Sequence, residues 1–150
     1  MGDHRKILLV EDDENDVELT LTALDRYHLA NEIEVVNDGQ SALDFLFREG
    51  SYADRPPGNP ILVLLDLKIP RLDGLEVLRR IKSAACLRTI PVVMLTSSRE
   101  EGDLLTSYNL GANAYVVKPL DFEQFMDHVG RAGLFWALIN EAPPRNGHEN

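Results

Sequence analysis

Acidic, hydroxyl and basic residues stand directly after short apolar runs at four places in this chain. Ile7–Val10 is followed by Glu11, Asp12 and Asp13. Ile61–Leu65 is followed by Asp66, Val92–Leu95 by Thr96, Ser97 and Ser98, and Tyr115–Val117 by Lys118-Pro119. If these side chains converge, they suit one kind of chemistry. Several carboxylates cannot share a small space without a counterion. An all-oxygen donor set with room for water selects a hard divalent cation such as Mg2+. Lys118 adds a cationic donor and Thr96 a hydroxyl. Such a constellation would hold a phosphoryl group, its oxygens neutralised by the metal and Lys118, with an Asp oxygen as nucleophile. Taken singly, each residue also has an ordinary role. An acidic run can open a helix, an Asp after a strand can make a turn, and Lys-Pro can be plain loop. The combination at four run ends is what points to a site.

The elements must bring those ends together. The four runs and a fifth, Ile33–Val36, are rich in Val, Ile and Leu and mostly do not alternate with polar residues. Strands buried on both faces of a parallel sheet read this way. Helical spacing follows each run: Val17, Leu21 and Leu24; Ala42, Phe45 and Leu46 after Asp38-Gly39; Leu75, Leu78, Ile81 and Lys82 after Asp73-Gly74; Leu104, Leu105 and Tyr108 up to Gly111; and Phe122, Phe125, Met126 and Val129 after Asp121, a candidate N-cap. Strand then helix, five times over, predicts a doubly wound α/β domain with five helices around a five-stranded parallel sheet. Ligands of such sheets bind beyond the carboxyl ends of the strands, where the order reverses. In the order 2-1-3-4-5 the first and third strands are neighbours, which would place Glu11, Asp12 and Asp66 in one pocket flanked by Thr96 and Lys118.

Composition narrows the classes. The chain has 150 residues, a formal net charge of −10, one Cys and one Trp. This length predicts one domain with a core that needs no staples. The acidity argues against nucleic acid and against anionic membrane surfaces. One Cys excludes a disulfide framework and points to a reducing, cytoplasmic setting. No stretch approaches the roughly 20 apolar residues of a membrane span.

Four blocks then resemble a known family, the receiver domains of two-component response regulators, with its flavodoxin-like fold. They are Ile7-Leu-Leu-Val-Glu-Asp-Asp13, Leu64-Leu-Asp-Leu-Lys-Ile-Pro-Arg-Leu-Asp-Gly74, Val92-Val-Met-Leu-Thr-Ser97 and Gly111-Ala-Asn-Ala-Tyr-Val-Val-Lys-Pro119. The resemblance implies that Asp66 is the phosphoacceptor, attacking the phosphohistidine of a partner kinase. It implies Mg2+ held by Asp12, Asp66 and the backbone carbonyl of Lys68, with Glu11 acting through metal-bound water. Lys118 would pair with the phosphoryl group, and the Lys118–Pro119 bond would be cis. Thr96 and the aromatic Tyr115 would move as a switch on phosphorylation. Asp13 receives no ligand role. Lys68 and Ser98, two residues beyond Asp66 and Thr96, border the expected water path and are expected to tune the phosphate lifetime.

The boundaries read as a receiver domain over residues 1–140, with a Pro-rich loop insertion at 50–60 and a C-terminal helix extension at 134–140. A flexible tail at 141–150 and no output domain complete this reading. The insertion Tyr52-Ala-Asp-Arg-Pro-Pro-Gly-Asn-Pro60 and the segment Leu134-Phe-Trp-Ala-Leu-Ile139 are similar to single-domain regulators that partner bacterial and cyanobacterial phytochrome kinases. A helix apolar on several faces needs more than one packing partner. Leu134, Phe135, Trp136, Leu138 and Ile139 are therefore expected in a homodimer interface with the fourth and fifth helices. Two other readings stay open at this point. One is a phosphate-independent binding module. The other is a Mg2+-dependent aspartyl-phosphate hydrolase, disfavoured because Lys68 stands where its second Asp is required. A dinucleotide-binding domain or P-loop is disfavoured by the lack of a glycine-rich fingerprint after the first strand.

Overall fold

The computed structural model describes residues 6–26, 28, 33–97, 100–118, 123–124, 127–129 and 131. Five strands, β1 (Ile7–Val10), β2 (Ile33–Val36), β3 (Leu62–Leu65), β4 (Val92–Thr96) and β5 (Ala114–Val117), form one sheet in the order β2-β1-β3-β4-β5. Every pairing is parallel. The helices α1 (Glu14–Asp25), α2 (Gly39–Phe47), α3 (Gly74–Ser83) and α4 (Glu101–Asn109) connect them, and residues 123–124, 127–129 and 131 are helical.

The apolar runs are unbroken because both faces of each central strand are covered. Leu8 and Val10 of β1, Val63 and Leu65 of β3, and Val92 and Met94 of β4 pack with α2 and α3. The alternate residues Ile7, Leu9, Leu62, Leu64, Val93 and Leu95 pack with Ala23 and Leu24 of α1 and with Val129. All four residues of β1 are at most 1% exposed, and each such side chain contributes about 1.5–3 kcal/mol of burial. This core fixes the register, and the register fixes which residues meet at the strand ends.

Helix starts follow their caps. Asp13 accepts the Asp16 N–H at 3.1 Å, Asp38 accepts the Ser41 N–H at 2.7 Å, and Asp73 accepts the Glu76 N–H at 3.0 Å. A capping carboxylate satisfies an orphan donor and complements the helix dipole. Asp13 thus has a structural role as the cap of α1.

Some expected spans shift. Ile61 precedes β3, Thr96 belongs to β4, and Ala114 opens β5. The apolar residues that mark α4 do not all face the core. Leu104 is 37% exposed, Leu105 61% and Tyr108 48%, while the buried residue of this helix is Ser107. The proline-rich insertion is tied down by Arg55. Its Nε donates to the Phe45 carbonyl at 2.9 Å, its Nη1 donates to the carbonyls of Pro56 and Gly58, and its guanidinium lies 4.2 Å from the Phe45 ring centre. The candidate cap Asp121, the Lys118–Pro119 bond, Phe122, Phe125, Met126, the 134–140 extension and the 141–150 tail lie outside the described residues. No helix among the described residues is long and apolar enough to cross a membrane.

Candidate functional site

The register assembles the site. Val10 of β1 stands opposite Leu65 of β3, so the next residues, Glu11 and Asp66, emerge side by side. Backbone bonds hold both: Asp66 N–H donates to Val10 O at 3.1 Å, and Glu11 N–H donates to Val36 O at 3.0 Å. On the other side Thr96 pairs in register with Val117, and the Lys118 N–H donates to the Thr96 carbonyl at 2.8 Å. Four strands thus present Glu11, Asp66, Thr96 and Lys118 at the carboxyl end of the sheet.

Carboxylate oxygens of Glu11, Asp12 and Asp66 lie within 4.8 Å of one another. Glu11 and Asp66 are buried, and Asp12 is exposed at the mouth. The Lys118 ammonium sits among them. Its Nζ donates to Glu11 Oε1 at 2.7 Å, to Asp16 Oδ2 at 2.8 Å and to Asp66 Oδ2 at 3.1 Å. Burial pushes the Glu11 carboxyl up to about 7, and the hydrogen bond and charge of Lys118 limit that rise. Burial works against the charge on Lys118, but its bonds to Asp16 and Glu11 and the charge of Asp66 outweigh it, so its pKa is raised. Three carboxylates, Glu11, Asp16 and Asp66, therefore share one ammonium, and Asp12 adds a fourth acid beside Glu11 and Asp66. That local excess of negative charge, presented by oxygen donors, fits a hard divalent cation.

The loop after Asp66 is positioned by close backbone packing. Gly74, the first residue of α3, donates its N–H to Leu67 O at 2.9 Å, and a Cβ there would lie 2.2 Å from the Asp66 carbonyl oxygen. Gly39 donates to Pro70 O at 3.1 Å, and a Cβ on it would lie 1.9 Å from Leu72 O. Arg71, at φ +70°, reaches Asp38 Oδ2 at 3.3 Å. The start of α2 thus clips the loop that carries Lys68. Lys68 itself is exposed, with its N–H 3.4 Å from Asp66 Oδ1. Thr96 is buried, and Tyr115 is half-buried against the core on the α2–α3 face. Ser98 lies outside the described residues.

Two participants were not singled out from sequence. Asp16, four residues after Asp12 on the first turn of α1, is a partner of Lys118. Asn37 donates Nδ2 to the Glu11 carbonyl at 3.0 Å and steadies the strand end. No spacing marked the first, because Asp12 lies before the Asp13 cap and outside α1. A separate cleft of about 330 Å³ lies at the opposite end of the sheet, lined by Lys6, Phe45, Tyr52, Arg55 and neighbouring prolines, and takes no part in this chemistry.

With this geometry established, comparison with known proteins is decisive: the family model of the response regulator receiver domain matches residues 7–130. The chain belongs to that family. Accepting a phosphoryl group is the function of the family, which pairs receiver domains with histidine kinases and places a divalent metal in the acidic pocket. Among curated relatives, the probable methanogenesis regulatory protein FilR2 of Methanothrix harundinacea (strain 6Ac) is 41% identical over 138 residues, 91% of this chain and 86% of that protein. Response regulator Rcp1 of Synechocystis sp. (strain ATCC 27184 / PCC 6803 / Kazusa) is 39% identical, covering 87% of each. The crystal structure of its Mn2+-bound form aligns with a TM-score of 0.86 at 37% identity, over 93% of this chain and 99% of that one. The bacteriophytochrome response regulator AtBRR is 60% identical, with a TM-score of 0.73 over 91% of this chain and 98% of that one.

Proposed function

We propose that Asp66 is the phosphoacceptor of this receiver domain, taking its phosphoryl group from the phosphohistidine of a bacteriophytochrome-type histidine kinase. The observation that carries the reading is the position of Asp66 at the end of the central β3. Its carboxylate lies 3.1 Å from Lys118 Nζ and clusters with the acids of Glu11 and Asp12. In the transfer an Asp66 oxygen forms the new P–O bond as the P–N bond to the donor imidazole breaks. The imidazole leaves with the bonding pair. Lys118 pairs with the transferred group, and the Thr96 hydroxyl turns toward it. Asp12, Asp66 and the Lys68 carbonyl are the residues that would hold Mg2+, with Glu11 acting through a bound water. The ion would supply charge neutralisation for the incoming phosphoryl oxygens. The names of relatives at 58% and 60% identity, both bacteriophytochrome response regulators, support the kinase class. The single cysteine and a kinase donor suit a cytoplasmic place of action.

Phosphorylation adds about −1.5 to −2 of charge. Thr96 and Tyr115 convert it into a changed contact surface, while Lys68 and Ser98 set how long it lasts. Leu104, Leu105 and Tyr108, exposed together on α4, support a homodimer that uses this helix with Leu134, Phe135, Trp136, Leu138 and Ile139. Sedimentation with and without a phosphoryl mimic checks the dimer; a monomer mass at all concentrations in both states refutes it.

Intact-protein mass after incubation with acetyl phosphate and Mg2+ tests the main reading. Wild type gains one phosphoryl mass and Asp66→Asn gains none. No gain in either folded protein points to a phosphate-independent binding module, and a gain in both moves the acceptor elsewhere.

A further inference from the structure

We propose that Asp16 is a positioning residue that gives the Lys118 ammonium a partner outside the metal-binding carboxylates, so that one pocket accommodates an ammonium and a divalent cation together. The proposal rests on the metal reading of the Glu11, Asp12 and Asp66 cluster.

An ammonium has three N–H donors, and three carboxylates take those of Lys118. Two of them, Glu11 and Asp66, belong to the metal-binding cluster; Asp16 does not. While Lys118 lies on Glu11 and Asp66, it holds one oxygen of each of two carboxylates in the cluster a cation would use. Like charges a few ångströms apart in a poorly hydrated pocket repel strongly. Lys118 cannot simply leave for solvent, because its side chain is only 9% exposed. A charge buried to that degree requires a partner.

Asp16 supplies that partner from a different element. Its side chain is 29% exposed, against 2% for Glu11 and 9% for Asp66, so it forms the outer wall of the pocket. Its backbone N–H is fixed to the Asp13 cap, which sets the carboxylate on the first helical turn rather than on the metal-binding loop. Lys118 can therefore keep one full ion pair while yielding Glu11 and Asp66. Without the Asp16 charge, its carboxylate partners both belong to the metal-binding cluster, and the two cations compete for them.

A double-mutant cycle on metal affinity tests this. Mg2+ is titrated calorimetrically into wild type, Asp16→Asn, Lys118→Met and the double variant. Asp16→Asn is expected to weaken Mg2+ about tenfold when Lys118 is present and by less than about threefold in the Lys118→Met background; the difference is the coupling. The same loss in both backgrounds would overturn the proposal, because Asp16 would then act only as a nearby negative charge.

A metal-free readout accompanies it: the rate of Lys118 acylation by acetic anhydride, followed by peptide mass spectrometry. Asp16→Asn is expected to raise this rate several-fold as the amine loses one of its three anchors, and Asp16→Glu is expected to restore the slow rate. An unchanged rate in Asp16→Asn would overturn the proposal. If wild type bound no Mg2+ while Asp16→Asn still raised the acylation rate, the metal reading would fall and the anchoring of Lys118 by Asp16 would stand.

Discussion

Replacing Gly74 with alanine sets two effects of known size against each other. Helix propensity favours alanine over glycine by up to about 1 kcal/mol in a helix interior, and by less at the first residue, where Gly74 stands. Sterics oppose it. A Cβ at this position would lie 2.2 Å from the Asp66 carbonyl oxygen, 2.8 Å from the Leu67 Cα and 3.0 Å from the Asp66 carbonyl carbon. Ordinary contacts begin near 3.4 Å, so α3 and the end of β3 must separate by about 1 Å. All three obstructing atoms are backbone, and no rotamer change relieves them. Overpacking of this kind costs about 1–3 kcal/mol or more, so the net effect is a destabilisation of roughly 2 kcal/mol. With a urea m-value of about 1–3 kcal/mol/M, the midpoint falls by roughly 1 M. The same displacement moves Asp66, the acceptor proposed above, and a misplacement of about 1 Å can cost on the order of a hundredfold in rate. Urea unfolding followed by circular dichroism reads the first effect, and the initial rate of acetyl-phosphate labelling of the folded fraction reads the second. A Gly74→Ala protein as stable and as fast as wild type would refute the packing argument.

Other outcomes follow from the same structure. Gly102→Ala, on α4 with nothing within 4 Å of the new Cβ, should raise stability by about 0.5–1 kcal/mol in the same urea assay; a loss would mean that α4 is packed differently. Asp38→Ala removes the cap of α2 and the partner of Arg71. It should cost about 1–2 kcal/mol and speed amide exchange at Gly39 and Leu72, the donors to Pro70 O. Lys68→Ala should alter the half-life of the aspartyl phosphate measured by intact mass; an unchanged half-life would remove Lys68 from the water path. EDTA should abolish acetyl-phosphate labelling of wild type, and excess Mg2+ should restore it.

The sheet was legible because its three central strands are buried on both faces. Ile7–Val10 and Ile33–Val36 were readable to the residue, since polar neighbours bound each run. The apolar content of α4 marked a helix but not its orientation, because spacing shows which residues share a face and not what that face meets. Glu11, Asp12, Asp66, Thr96 and Lys118 were readable as a group because each stands at or just beyond the end of an apolar run, and parallel pairing aligns strand ends. Asp16 was not, since its bond to Lys118 spans 102 positions and depends on how α1 lies over the pocket. The Arg55 tether escaped notice for a similar reason: its acceptors are backbone carbonyls, which leave no trace in a residue pattern.

The contact between Lys118 and Glu11 spans 107 positions, and this separation bears on how the chain matures during synthesis. A nascent chain that has emerged only as far as β3 already holds Glu11, Asp12, Asp16 and Asp66, yet it lacks the ammonium that compensates them. Pairing β1 with β3 sets Glu11 beside Asp66, and the ammonium that bonds to both joins this strand end only with the residue that follows β5.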